Sequence, residues 1–278
     1  MEHAFFIGDL LDEVGKLTIV QSYNLRFEEY EIEEIKGKKF IVGKGRPANP
    51  FKNENVFEGP ELLFSLINLV KGPLPKYFNE PHMDSVISDE SIMKWCKKYG
   101  IPYRDTELNR LLEDEKWRDN ILHLGMFKYK IAWLYAYFSL WKAIISEDQE
   151  EINKYRDFVK LEMETIKMLP DGPKKDDLTY LKEALTAAVD KHFRVNIHLV
   201  YNSDSKTYEF KLASDSLIII AYYQLASLMT KNHTENKKKM KNCAYCQSIY
   251  WANHANSRYC PNCDRRTVWS RRNSKKKK

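Results

Sequence analysis

The chain has 278 residues, 43% of them hydrophobic, so it is long enough to bury a substantial core. Acidic residues interrupt its first apolar stretch and no basic leader precedes it, while the most apolar windows, 131–145 and 217–229, are shorter than the ~20 residues of a spanning helix. These features argue against a signal peptide, a transit peptide and a membrane span, and they predict a cytoplasmic protein.

The formal net charge of +6 is unevenly distributed along the chain. Residues 237–278 contain 13 Lys or Arg and one acid, Asp264, so this segment carries +12 and the remainder carries −6. Such an asymmetry is typical of a protein in which one end binds a polyanion and the other end has a different task.

Hydrophobic periodicity predicts a mainly α fold with minor β structure, an α+β class. Short strands are expected at 17–20 and 39–42, and the period-2 pattern on both sides of the turn NSDS predicts a β-hairpin within 193–214. The predicted helices are 61–70, 88–100, 105–146 with a break near Gly125, 147–169, 174–192 and 215–229, the last with Ser214 as its N-cap. These elements form a body at 1–230 that can sense a ligand or a partner, and a basic linker follows at 231–242.

Four of the five cysteines form two C-x-x-C pairs, and 13 residues separate the pairs. The metal ligands predicted from this spacing are Cys243, Cys246, Cys260 and Cys263. Two tight knuckles that face each other can complete a tetrahedral shell of four thiolates around Zn²⁺. Because a closed shell leaves no position for water or substrate, we expect one structural zinc ion in a zinc-ribbon or knuckle module at 243–266.

Two residues with metal-binding or reactive side chains receive a structural interpretation. His254 lies between the two cysteine pairs, and with four thiolates available it is interpreted as a loop residue. Cys96 lies far from the other cysteines in a predicted helix, and it is interpreted as a buried core thiol.

Basic and aromatic residues surround the second cysteine pair and continue into a tail at 267–278. The candidate nucleic-acid contacts are Arg258, Arg265, Arg266, Trp269, Arg271 and Arg272. Guanidinium groups bind phosphates, and a tryptophan among them can stack on a base. The pattern itself does not distinguish DNA from RNA, and a tail that serves only as solvated charge is the alternative.

From Cys243 onward the chain resembles the CGNR-type zinc-finger proteins of bacteria. The first C-x-x-C pair, the aromatic residues Tyr250 and Trp251, and Cys263 with its basic surroundings carry the resemblance; of the four-residue signature only Cys263 and Arg266 match, because Asp and Arg replace Gly and Asn. The segments LLFSLINLV and IMKWCKKYG are similar to that family's helical N-terminal domain. The resemblance implies a transcription regulator whose finger binds DNA.

Two other classes of function stay open from the sequence. Arg118 and His123 form an R-x4-H pattern on a predicted helix, which resembles the motif of HEPN-type ribonucleases. Asp204 with Glu209 and Lys211 forms a pattern similar to that of metal-dependent nucleases. The other class is a protein-interaction scaffold, in which a partner or a second copy of the chain binds the helical body. We expect a non-enzymatic, nucleic-acid-binding regulator.

Overall fold

The computed structural model describes residues 18–22, 25–47, 60–75, 83–103, 120–166, 177–192, 196–202, 206–214, 216–230, 239–254 and 256–263. The chain divides into two compact units. Unit 1 consists of Met1–Glu58, Asp89–Gly125 and Phe193–Ile220, and unit 2 consists of Gly59–Ser88, Met126–His192 and Ala221–Lys278. The four-cysteine segment therefore belongs to unit 2.

Helices dominate the described residues and three small sheets accompany them, which confirms the predicted mainly α class with minor β structure. The strands are β1 (Thr18–Ser22), β2 (Glu29–Ile35), β3 (Lys38–Lys44), β4 (Ile121–His123), β5 (Asn196–Asn202), β6 (Thr207–Ser214), β7 (Met240–Asn242) and β8 (Ile249–Trp251). The helices are α1 (Glu61–Ile67), α2 (Asp89–Tyr99), α3 (Leu124–Ser146), α4 (Gln149–Ile166), α5 (Asp177–His192) and α6 (Leu217–Thr230), and a 3-10 turn spans Pro261–Cys263.

One sheet of unit 1 has the strand order β2-β3-β4. β2 and β3 are antiparallel, and Lys36 and Gly37 join them with positive φ (50° and 74°), as a two-residue type I′ turn requires. β3 is a predicted strand and is confirmed, with its centre buried. The sequence does not predict β2, because four of its seven residues are glutamates and only Tyr30 is buried.

The predicted helix at 105–146 is wrong at residues 121–123, which form strand β4. All three residues are buried, and they pair antiparallel with the centre of β3. A three-residue apolar strand placed directly before a helix has no period of its own, so the pattern cannot separate it from the helix. Helix α3 begins at Leu124, next to the predicted break at Gly125, and residues 104–119 lie outside the described part of the chain.

The predicted hairpin within 193–214 is confirmed. β5 and β6 are antiparallel, with Asn202 opposite Thr207 beside the turn. β1, also a predicted strand, lies parallel to β6, so the strand order is β1-β6-β5. The local sequence cannot predict this parallel pair, because its two strands come from distant parts of the chain.

The N-cap predicted for helix α6 is wrong by two residues. Ser214 instead closes a short turn, in which its hydroxyl oxygen accepts a hydrogen bond from Ser216 N (3.1 Å). The Ser216 hydroxyl oxygen accepts a hydrogen bond from Ile219 N (3.4 Å), and the helix begins at Leu217. Either serine satisfies the sequence preference for an N-cap, so the choice depends on where β6 ends.

Unit 2 contains the helices predicted at 61–70, 147–169 and 174–192, which are confirmed among the described residues as α1, α4 and α5. Aromatic rings join three helices of this unit. The Tyr137 ring of α3 lies 6.1 Å from the Tyr222 ring of α6, and the His192 ring of α5 stacks on Tyr222 at 4.6 Å. Among the described residues, no helix combines the length and the apolar character needed to cross a membrane.

Helix α2 confirms the prediction for 88–100 and contains Cys96. This thiol is fully buried, and burial raises its pKa. Cys96 is therefore the core thiol that the sequence predicts.

Gly100 follows α2 with a φ of +87°, and a Cβ at this position would lie 2.6 Å from the carbonyl oxygen of Leu25. Gly37 also has a positive φ, but no atom lies within 4 Å of its Cβ position. We expect Gly100→Ala to lower the free energy of unfolding by about 2–4 kcal/mol, through backbone strain and a clash. Gly37→Ala should cost about 1–2 kcal/mol through strain alone. Urea unfolding measures both losses, and equal losses would contradict the clash.

Candidate metal centre

The first cysteine pair lies in the loop that joins β7 to β8. Cys243 N donates to Ser248 O (2.9 Å), and Gln247 N donates to Cys243 O (2.9 Å). Gln247 has a positive φ (61°), which lets the chain reverse within a few residues. The loop therefore carries Cys243 and Cys246 close together on one tight turn.

The second pair is held by the 3-10 turn, in which Cys263 N donates to Cys260 O (2.8 Å). Ala244 N donates to Arg258 O (2.9 Å) and so connects the first loop to the segment that leads into the second pair. These backbone bonds bring the two knuckles face to face.

Two side chains of the β7–β8 ribbon donate hydrogen bonds to a backbone carbonyl that lies between the two cysteine pairs. The Tyr250 hydroxyl donates to Ser257 O (2.9 Å), and Lys241 Nζ donates to the same oxygen (3.3 Å). Tyr250 is buried with three of the four cysteines, and Tyr245 and Tyr259 pack against this cluster. The module has so small an apolar core that a bound metal would supply much of its folding free energy.

The four sulfur atoms of the predicted ligands lie within 4.8 Å of one another. The Sγ atoms of Cys246 and Cys260 are 3.7 Å apart. A tetrahedral shell with metal–sulfur distances near 2.3 Å requires sulfur–sulfur distances of about 3.8 Å. The four cysteines therefore form a cluster that can hold a metal ion.

Burial and hydrogen bonding act in opposite directions on these thiols. Burial alone would raise the pKa of Cys243, but backbone hydrogen bonds at Cys246, Cys260 and Tyr245 outweigh it and lower the pKa to about 6. Burial raises the pKa of Cys260 to about 12, and burial also raises the pKa of Cys263. A divalent cation bound here would have to displace the protons of Cys260 and Cys263.

His254 is exposed and lies in the loop between the pairs, as predicted. The metal-binding group found among the described residues consists of the four cysteines alone. His254 therefore contributes no atom to this cluster.

The surface of the module is basic. No acidic residue occurs between positions 239 and 263, and Lys239 and Arg258 are exposed. Lys239 Nζ lies 5.9 Å from the centre of the Trp251 ring, within range of a cation–π contact. Four thiolates around a divalent cation carry a formal charge of −2, which these neighbouring cations partly balance.

The structure describes some of the other predicted site residues and leaves the rest outside its described ranges. Of the candidate nucleic-acid contacts, Arg258 is exposed beside the cluster, whereas Arg265, Arg266, Trp269, Arg271 and Arg272 lie outside the described residues. His123 lies on β4 rather than on a helix, is 6% exposed, and its ring packs edge-on against Phe40 at 5.0 Å. Arg118 and Asp204 lie outside the described residues.

One residue that supports the module is not predicted from the sequence. Asn68, which caps the C-terminus of α1, exchanges two hydrogen bonds with the backbone of Ile249 in β8. Asn68 lies at the end of a helix and before a Gly-Pro segment, where an asparagine is usually interpreted as a helix cap. The sequence therefore does not predict this contact.

No family model matches this chain, and no curated protein and no solved structure matches it either.

Proposed function

We propose that the four cysteines bind one structural Zn²⁺ and that the module they organise binds nucleic acid, with DNA preferred, as part of a transcription regulator. The observation that carries this proposal is the convergence of four sulfur atoms within 4.8 Å of one another in a segment without acids. The metal and the basic surface occupy the same short stretch of chain. A structural metal at that place would order the surface that meets the polyanion.

Zinc is the ion that fits this donor set best. Tetrahedral sulfur ligation selects Zn²⁺ or an iron–sulfur centre, whereas Mg²⁺ and Ca²⁺ prefer oxygen ligands. Paired C-x-x-C knuckles are typical of structural zinc sites in proteins of a reducing compartment such as the cytoplasm. Because four thiolates fill the shell, the role proposed for the ion is structural and not catalytic.

Nucleic-acid binding is supported by charge and by resemblance. Residues 237–278 carry +12, and two of these cations, Lys239 and Arg258, are exposed in the described part of the module. The resemblance to CGNR-type zinc-finger proteins, carried by the cysteine pairs and Arg266, supports DNA as the polyanion and transcription regulation as the role. No observation on His123 favours the ribonuclease alternative, since its side chain is buried in a sheet.

The test is a fluorescence-anisotropy titration of the full, zinc-loaded chain against duplex DNA and duplex RNA of the same sequence at low and moderate salt. We expect tighter binding to DNA, and an affinity that falls by about 10³-fold or more between 50 and 200 mM salt if six or more phosphates are contacted. Absence of salt-sensitive binding to either duplex would contradict nucleic-acid binding. Tighter binding to RNA would contradict only the DNA preference, and cleavage of the RNA would favour the ribonuclease.

A further inference from the structure

The outer edge of β8 is paired by a side chain instead of a strand. Ile249 N donates to Asn68 Oδ1 (2.8 Å), and Asn68 Nδ2 donates to Ile249 O (2.8 Å). The carboxamide of asparagine offers one acceptor and one donor in a plane, as a peptide group does. Asn68 thus forms the hydrogen bonds that a third strand would form at the edge of β8. A two-stranded ribbon without such a partner is only marginally stable.

A second contact lies next to this pair of hydrogen bonds. The rings of Phe64 and Trp251 are 6.5 Å apart. Phe64 and Asn68 are four positions apart at the end of α1, and Ile249 and Trp251 are two positions apart on β8, so each pair shares one face of its element. The module is therefore attached to α1 at two points.

Helix α1 is itself fixed within unit 2. Leu63 N donates to the Oε1 atom of Gln224 (2.8 Å), a residue of α6 that is 3% exposed. The Phe64 ring also packs against the ring of Phe138 in α3 at 6.0 Å. A continuous set of contacts thus leads from the cysteine loops through β8 and α1 to α3 and α6.

From these contacts we infer that Asn68 is a positioning residue for the metal centre and that it couples metal binding to the packing of the unit 2 helices. A metal binds only the folded knuckles, and the folded knuckles hold β8 against α1. By linkage, the contacts at Asn68 raise metal affinity, and the metal stabilises α1 by the same factor. This inference rests on the metal site of the proposed function and is independent of nucleic-acid binding.

The test compares the full chain with Asn68→Ala and Asn68→Asp. The Ala variant loses both hydrogen bonds, and the Asp variant keeps the size of the side chain but sets an oxygen against Ile249 O. Asn253→Ala is the matched control, because Asn253 is an exposed asparagine of the same module. Zinc affinity is measured by competition with a chromophoric chelator, and helix unfolding is followed by circular dichroism with and without Zn²⁺.

We expect both Asn68 variants to bind one zinc ion with an affinity about 10- to 100-fold below that of the unaltered chain, because Ala loses both hydrogen bonds, and Asp loses one and sets two oxygens against each other. The rise in Tm on adding Zn²⁺ should shrink in both variants, whereas Asn253→Ala should keep the original affinity and the original rise. A purely structural role would lower Tm equally with and without zinc and leave affinity unchanged, and that result would overturn the inference. If the unaltered chain binds no zinc, the proposed metal site itself fails.

Discussion

Cys260→Ser is expected to remove nearly all bound zinc from the purified protein. The Cys260 sulfur is buried and lies 3.7 Å from that of Cys246, so a serine there leaves a three-thiolate site with a poor fourth ligand. Structural Zn²⁺ contributes about 10–16 kcal/mol to small zinc-dependent folds near neutral pH, so the loss of a ligand should also unfold the module. Elemental analysis of zinc per chain measures the first effect, and the loss of protection of β8 from amide exchange measures the second.

The fifth cysteine provides the control for this experiment. Cys96 is buried in α2 of unit 1 and belongs to no metal-binding group among the described residues. Cys96→Ala should therefore keep one zinc per chain, although the small cavity it leaves is expected to cost stability. An unchanged zinc content in Cys260→Ser, or a loss in Cys96→Ala, would contradict the assignment of the ligands.

Replacing Arg265, Arg266, Arg271 and Arg272 together with alanine is expected to weaken DNA binding by about 10³-fold at 50 mM salt. Each phosphate contact contributes about −0.9 to the slope of log affinity against log salt, so the slope should become shallower by about 3–4. Zinc content should stay at one per chain, because none of the four arginines is a ligand. Anisotropy titrations at several salt concentrations measure the slope.

A variant with the same change in net charge separates contact from bulk charge. Lys38, Lys71, Lys94 and Lys97 are exposed and lie outside the module, so their replacement by alanine lowers the net charge equally. This control should retain most of the affinity and the original slope. An equal loss in both variants would show that only the total charge matters, and the proposed contacts would be wrong.

The ligand set of the metal centre was the part most accessible from the sequence, because two C-x-x-C pairs constrain the chain locally. The structure brings the same four sulfur atoms together. Helices with long apolar patterns, such as α4 and α5, were accessible for the same reason. Helix α4 begins at Gln149 and not at the predicted residue 147, since the pattern does not define the end of a helix.

Two of the missed features, β4 and the contact of Asn68, depend on partners that are distant in sequence. β4 forms because its backbone pairs with the edge of β3. β2 forms although it contains four glutamates, because Tyr30 is buried. Asn68 supports the module through a hydrogen bond to Ile249 O, which no local sequence pattern predicts. Such contacts can be identified only in the three-dimensional structure.

The central claim, that a metal-ordered module binds nucleic acid, is tested most directly by removing the metal and returning it. DNA affinity of the full chain is measured by anisotropy when zinc-loaded, after chelation to a verified loss of zinc, and after addition of one equivalent of Zn²⁺. We expect the affinity to fall by about tenfold or more on chelation and to return with the metal, since the Arg258 backbone is tied to the loop of the first cysteine pair. Unchanged DNA affinity in the zinc-free chain would contradict the claim.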